Sequence, residues 1–175
     1  MRKMWKLLPI IFILFLPFKT LAKVSLERQQ IPKHALSIKI PKRFTLMDEK
    51  SKRLKYPSMR DNNEKNIFTD ESGKVNIIIS AGTVSMLPEQ LDMFTDSLLK
   101  LMPNYQPSLQ KVIVDGKDAR IIDFISSAMD TNIHNKMLTT SFNGKAVIVS
   151  FNTTVDEWEQ YKDVSTDILL SLKFE

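Results

Sequence analysis

The chain has 175 residues, 25 Lys and Arg against 20 Asp and Glu, 43% hydrophobic residues, four glycines and no cysteine. That composition describes an ordinary globular domain and excludes disordered, collagen-like and disulfide-stapled classes. Without a thiol there is no disulfide, thiolate metal site, cysteine nucleophile or cysteine-borne lipid anchor.

The amino terminus opens with Arg2, Lys3 and Lys6 and runs into the apolar stretch Leu7 to Phe18, which is about half the ~20 residues a membrane-spanning helix needs. Pro17 breaks the run just before Thr20-Leu21-Ala22, whose Thr at −3 and Ala at −1 suit signal-peptidase cleavage before Lys23. Residues 1–22 are therefore read as a cleaved export signal, with an uncleaved anchor as the alternative, and 23–175 as a single domain. Removing the signal leaves 21 cations and 20 acids. A nucleic-acid partner loses its support once bulk charge vanishes.

Leu36, Ile38 and Ile40 alternate with Ser37 and Lys39 and stop at Pro41, as in a strand with one buried face. Thr45 to Lys65 reads mainly as charged surface loop, with a short helix within Asp48–Lys55. Asn66–Thr69 and Lys74–Ala81 flank the turn-forming Asp70-Glu71-Ser72-Gly73 and make a hairpin. Leu91, Phe94, Leu98 and Leu101 mark the inner face of a helix over Leu87–Met102, with Pro88 in its first turn and Pro103 beyond its end.

The remainder reads as a meander. Leu109–Val114 joins Ala119–Ser127 through Asp115-Gly116, and Ile133–Phe142 joins Ala146–Thr153 through Asn143-Gly144. Both dipeptides suit two-residue turns with positive φ at each central position. A terminal helix follows, capped by Thr154 and Glu157, with Trp158, Tyr161, Val164 or Ser165, Ile168 and Leu172 facing inward.

Three stretches carry a resemblance: Ser37-Ile38-Lys39-Ile40-Pro41-Lys42-Arg43-Phe44, Val112-Ile113-Val114-Asp115-Gly116-Lys117-Asp118-Ala119, and Ile168-Leu169-Leu170-Ser171-Leu172-Lys173-Phe174. With the element order, they make the chain similar to the PsbP-like superfamily, nearest to periplasmic DcrB-like proteins, over residues 35–174. The resemblance implies an α+β fold, a central antiparallel sheet with helices packed on its faces, and proteins that act mostly through binding partners.

Enzymatic equipment is not legible. His34 and His134 stand outside any metal-ligand spacing and read as surface or strand-end residues. No G-x-S-x-G elbow or Gly-rich phosphate loop occurs. Asp156, Glu157, Glu159 and Asp163 suit the start of a helix better than a cation site. No catalytic residue, metal ligand or cofactor is therefore assigned.

Charge asymmetry is the functional clue. Lys33 to Lys65 holds ten cations and four acids, whereas Asn66 to Glu175 holds nine cations and fifteen acids. Lys50, Lys52, Arg53, Lys55, Tyr56 and Arg60 form the candidate partner-binding set. They suit an acidic protein surface, with peripheral contact to anionic lipid headgroups as a second use. Reversing Lys52, Arg53 and Lys55 to Glu is expected to leave the fold almost untouched. The function expected is that of an exported, non-enzymatic, protein-binding accessory protein of the bacterial envelope, in one version an immunity-type protein neutralising a periplasmic toxin. The alternative is an envelope-maintenance or small-ligand-binding module.

Overall fold

The computed structural model describes residues 24–57, 65–128 and 130–175. Among these residues, ten strands form two antiparallel sheets. The small sheet joins β1 (Leu26–Gln30), β2 (Leu36–Pro41) and β10 (Lys173–Phe174), with β2 in the middle. The large sheet holds β3 (Thr45–Leu46), β4 (Lys65–Thr69), β5 (Val75–Ser85), β6 (Ser108–Val114), β7 (Lys117–Ser127), β8 (Asn132–Phe142) and β9 (Lys145–Thr154). Their order across it is β3-β4-β5-β9-β8-β7-β6.

Helix α1 (Glu49–Lys55) bridges β3 and β4, and α2 (Leu91–Lys100) bridges β5 and β6 after a 3-10 turn at Pro88–Gln90. Helix α3 (Trp158–Leu170) follows β9. The expected α+β architecture, with helices on the faces of an antiparallel sheet, is present.

Alternation sorts the large sheet into two faces. Ile77, Ile79, Ile121, Leu138, Val149 and Phe151 point one way and pack with Leu36, Ile38 and Ile40 of β2 and with Tyr161, Ile168 and Leu169 of α3. This is the main core, and each of these strand residues is at most 1% exposed. The other face presents Arg120, Ile122, Thr139 and Ser141, all buried, to the side where α2 contacts β7 and β8. Met86, Leu91 and Ala146 form a second, smaller cluster with Phe94 against it.

The two meander turns form as the sequence predicts. Asp115 and Gly116 have φ of 47° and 77°, and Asn143 and Gly144 have φ of 50° and 69°, values that these residue types adopt more readily than others.

Several details differ from expectation. The first predicted strand belongs to the small sheet, where β1 and β10 flank it. Both flanking strands lack a clean apolar period: β1 reads Leu-Glu-Arg-Gln-Gln and β10 has only two residues. Leu101 is 78% exposed because α2 ends at Lys100, and buried Thr95 completes the inner face by donating to the Leu91 carbonyl at 2.8 Å. The Thr154–Glu157 capping box does not form, since β9 runs through Thr154 and α3 starts at Trp158. Asp156 instead pairs with Lys74 at 2.7 Å.

Candidate functional site

The basic segment is ordered by a short helix whose one buried residue is polar. Asp48 caps α1, accepting the Ser51 N–H at 2.9 Å, and Glu49 occupies the first turn with Lys52, Arg53 and Lys55 in the last. This placement of acids and bases follows the helix dipole. The Asp48 carboxyl is held below its ordinary range, chiefly by the Ser51 hydroxyl and then by the Ser51 N–H.

Helical geometry divides the predicted site residues. Lys52 points inward and is only 4% exposed. Its ammonium sits 2.8 Å from Glu49 Oε1 and donates to the Lys65 carbonyl at 3.0 Å. Lys55 is exposed along its stem, but its ammonium donates to the Gly73 carbonyl and, at 3.0 Å, to Asn76 Oδ1. Burial lowers the Lys55 ammonium's pKa, against a smaller opposing pull from Asp70. Tyr56 is half-buried, and desolvation pushes its phenol up to about 12.

Lys50 and Arg53 remain on the solvent side, with Leu54 beside them 75% exposed. Arg60 lies outside the described residues. The expectation that reversing Lys52, Arg53 and Lys55 leaves the fold almost untouched is therefore corrected: two of the three fasten α1 to β4 and to the turn before β5.

A neighbouring feature was not legible in the sequence. A cleft of about 710 Å³ opens where Val24, the β2–β3 connection, the Asp70–Ser72 turn and the start of α3 meet. Lys42 and Arg43 bring positive charge to it, and Glu71 and Glu157 bring negative charge. Phe44 and Tyr161 supply aromatic lining, with ring centroids 6.1 Å apart. Tyr161 also packs on Phe151 at 5.8 Å, and burial followed by the nearby Asp70 carboxylate raises its phenol pKa. Asp70 is already committed to its turn, accepting the Val75 N–H at 3.1 Å. No sequence signal joins these segments, because residues 24 and 161 meet only through the packing of the small sheet and α3.

The two histidines have structural surroundings. His34 lies in the turn between β1 and β2 and donates its backbone N–H to Ile31 O at 3.1 Å. His134 lies within β8, where its ring stacks on Trp158 at 3.5 Å and its Nε2 meets Asp123 Oδ1 at 2.7 Å. Lys136 completes this network, 3.4 Å from Asp123 Oδ2 and bonded to Thr166 Oγ1 at 3.0 Å. The His134 Nε2, both Asp123 carboxylate oxygens and the Lys136 ammonium each have a partner in this network, as half-buried polar groups require. Among the described residues, no group of three or more His, Asp or Glu side chains is placed to hold a metal ion, and no helix is long and apolar enough to cross a membrane.

No family model and no curated protein matches the chain. Solved structures do. Cyanobacterial PsbP, or CyanoP, from Synechocystis sp. PCC 6803 superposes with a TM-score of 0.57 at 14% identity, covering 87% of this chain and 94% of CyanoP. A protein of Bacteroides thetaiotaomicron VPI-5482 gives 0.54 at 15% identity over 85% of this chain, which spans 48% of that longer protein. LpqN of Mycobacterium tuberculosis, described as involved in cell envelope biogenesis, gives 0.50 at 16% identity over 85% and 90% of the two chains. The fold is PsbP-like. At such identities the likeness speaks for architecture alone.

Proposed function

We propose that this is an exported, non-enzymatic accessory protein of the bacterial envelope that docks an acidic protein through the basic surface running from the cleft to α1. One observation carries the reading: Lys42, Arg43, Lys50 and Arg53 are all exposed within residues 42–53, beside the uncovered Leu54 side chain. Cations around an apolar contact suit an interface in which charge steers approach and desolvated area holds the complex. The export-signal pattern of residues 1–22 supports a periplasmic address, and the envelope role printed for LpqN agrees with it. Within the PsbP-like fold, the three sequence motifs support a reading of the chain as nearest to periplasmic DcrB-like proteins. An immunity-type role, neutralising a toxin in the periplasm, is the most specific form of the proposal; contact with anionic lipid headgroups is a weaker use of the same cations.

The experiment is kinetic. The partner is isolated by affinity purification from the native envelope, and its association with wild type and with the Lys50→Glu, Arg53→Glu double variant is followed across salt concentrations. Association of wild type should slow as salt rises, and the variant should associate about tenfold more slowly at low salt with a flatter salt response. Equal rates at every salt concentration would remove the basic surface from the interface.

The cleft favours a second reading, a small-ligand-binding module for envelope maintenance. Its lining of aromatic rings with charges of both signs suits a small molecule that is itself apolar in the middle and charged at its ends. Mass spectrometry of solvent extracts from natively purified protein decides this. A stoichiometric small molecule lost in a Phe44→Ala variant supports the reading, and an empty extract opposes it.

A further inference from the structure

Among the described residues, the strand β6 ends the large sheet and pairs on one side only, with β7. Its pairing register runs unbroken from Ser108 opposite Asp123 to Val114 opposite Lys117. The two-residue turn at Asp115-Gly116 makes Val114 and Lys117 a hydrogen-bonded pair, and such pairs alternate along an antiparallel ladder. Ser108, Gln110, Val112 and Val114 therefore turn their backbone groups toward β7. The N–H and C=O groups of Leu109, Lys111 and Ile113 point away from the sheet.

Those same three side chains share a face. Leu109 lies opposite Ile122, Lys111 opposite Arg120 and Ile113 opposite Asp118, and Arg120 reaches Asp92 of α2 on that face at 2.7 Å. Leu109 is 39% and Ile113 63% exposed. Lys111 is the strand's only charge. It approaches Asp92 at 3.4 Å, but that carboxylate is held first by Arg120, whose bond also depresses the Asp92 pKa. The Lys111 side chain stays 68% exposed and keeps donors free for another acid.

An edge of this kind accepts a further strand. We propose that β6 is a docking edge for an extended segment of another protein, one with a carboxylate flanked at two-residue spacing by apolar side chains. The acid faces Lys111 across the new pair, and the apolar residues cover Leu109 and Ile113. A second copy of this chain is disfavoured by the same residue. The two-fold antiparallel register that uses every outward backbone group sets Lys111 against Lys111, and like charges directly opposed destabilise a pair. Lys111 thus guards the edge against self-association and selects an acidic strand. The site is at the far end of the sheet from α1 and stands independently of the basic surface.

The test uses the full chain and the synthetic peptide Thr-Thr-Val-Thr-Glu-Thr-Val-Thr-Thr, with Lys in place of Glu as the matched control. Amide hydrogen exchange is read residue by residue. With ~1 mM peptide, exchange at Leu109, Lys111 and Ile113 should slow at least about tenfold, while Gln110 and Val112, already bonded to β7, should not change. The Lys peptide should give no protection to wild type and should protect a Lys111→Glu variant, which in turn loses the Glu peptide. Ile113→Pro should abolish binding with the β6–β7 amides still protected, because that N–H serves no bond within the domain; if this variant fails to fold, the exchanged preference of Lys111→Glu still decides. Equal protection by both peptides, protection by neither, or peptide contacts elsewhere on the domain would overturn the proposal. So would a doubled mass in the free protein with Leu109, Lys111 and Ile113 already protected, the outcome expected of a second copy.

Discussion

Helices α1 and α3 each close part of a sheet face, yet different forces hold them. Helix α3 has thirteen residues and buries Tyr161, Ser165, Ile168 and Leu169. Helix α1 has seven, and the one residue it buries is Lys52. A helix that short is marginal in isolation, since nucleation must be recovered from few hydrogen bonds. It persists here through the Asp48 cap and the Lys52 and Lys55 tethers. Apolar burial resists opening in proportion to area, whereas each polar tether adds about 1 kcal/mol net. The contrast agrees with the partner surface proposed on α1: a segment held by a few exchangeable bonds can adjust on contact, and α3 cannot move without opening the core.

The contrast breaks most visibly at Ile168, which is completely buried in the main core. Ile168→Ala should cost about 2–5 kcal/mol in urea unfolding, with the whole domain losing stability together. Trp158→Ala should cost less than the ~3–5 kcal/mol of a fully buried ring, because Trp158 is half-buried at the edge of the same cluster. A loss below about 1 kcal/mol at Ile168 would mean that α3 does not seal the core.

At α1 the informative substitution is Lys52→Glu. It removes the Lys65 carbonyl's donor and places a second carboxylate beside Glu49. The expected cost is roughly 1–3 kcal/mol, below that of breaking a fully buried pair because Glu49 is half exposed and the helix can open locally. Lys52→Met should stay within about 1 kcal/mol of wild type, since an apolar chain of similar length leaves no buried charge. Equal losses for the two variants would show that Lys52 acts through packing of its stem, and α1 would then resemble α3 more than the hydrogen bonds suggest.

The same pair of helices shows where sequence reasoning reached and where it stopped. Helix α3, the four long meander strands and both turn dipeptides were legible, because period and turn chemistry act locally and were strong. Strands β1 and β10 were not, since they owe their state to β2 between them rather than to their own residues. The candidate site was legible as a charged segment but not as a surface. Sequence spacing places Lys50, Lys52, Arg53 and Lys55 together, and only the packing of α1 on β4 turns Lys52 inward while leaving Arg53 in water. The cleft was invisible because its walls come from four separated segments.

A smaller effect sharpens the contrast at high pH. The Tyr56 phenol, just past α1, is raised by burial from 10 to about 12. A raised folded-state pKa means stability that is complete below pH 10 and lost as pH climbs toward 12, by at most about 2–3 kcal/mol. Tyr56→Phe should remove that alkaline loss without shifting the midpoint at neutral pH by more than the contacts of one hydroxyl. Unchanged alkaline unfolding in the variant would place the sensitivity elsewhere, with the raised Tyr161 phenol on the α3 side as the next group to examine.

The smallest expected effect is at Asp48, and its direction separates a charge from a cap. The folded carboxyl titrates below its ordinary value because the ionised form accepts from Ser51. Its stabilisation is therefore present above the ordinary carboxyl pKa and disappears as pH falls through the depressed one. Amides of α1 should begin to exchange faster in that acid window while those of α3 do not. Asp48→Asn keeps an oxygen for the Ser51 N–H but has nothing to protonate, so its α1 should lose the acid dependence and remain closed. Asp48→Ala should leave α1 more open at every pH, since neither cap nor charge remains. If Asp48→Asn frays as much as Asp48→Ala, the carboxylate acts on the helix dipole rather than as a hydrogen-bonding cap. In that case α1 is held at its start by long-range charge, which salt should weaken, and at its end by the Lys55 contacts, which salt should hardly touch.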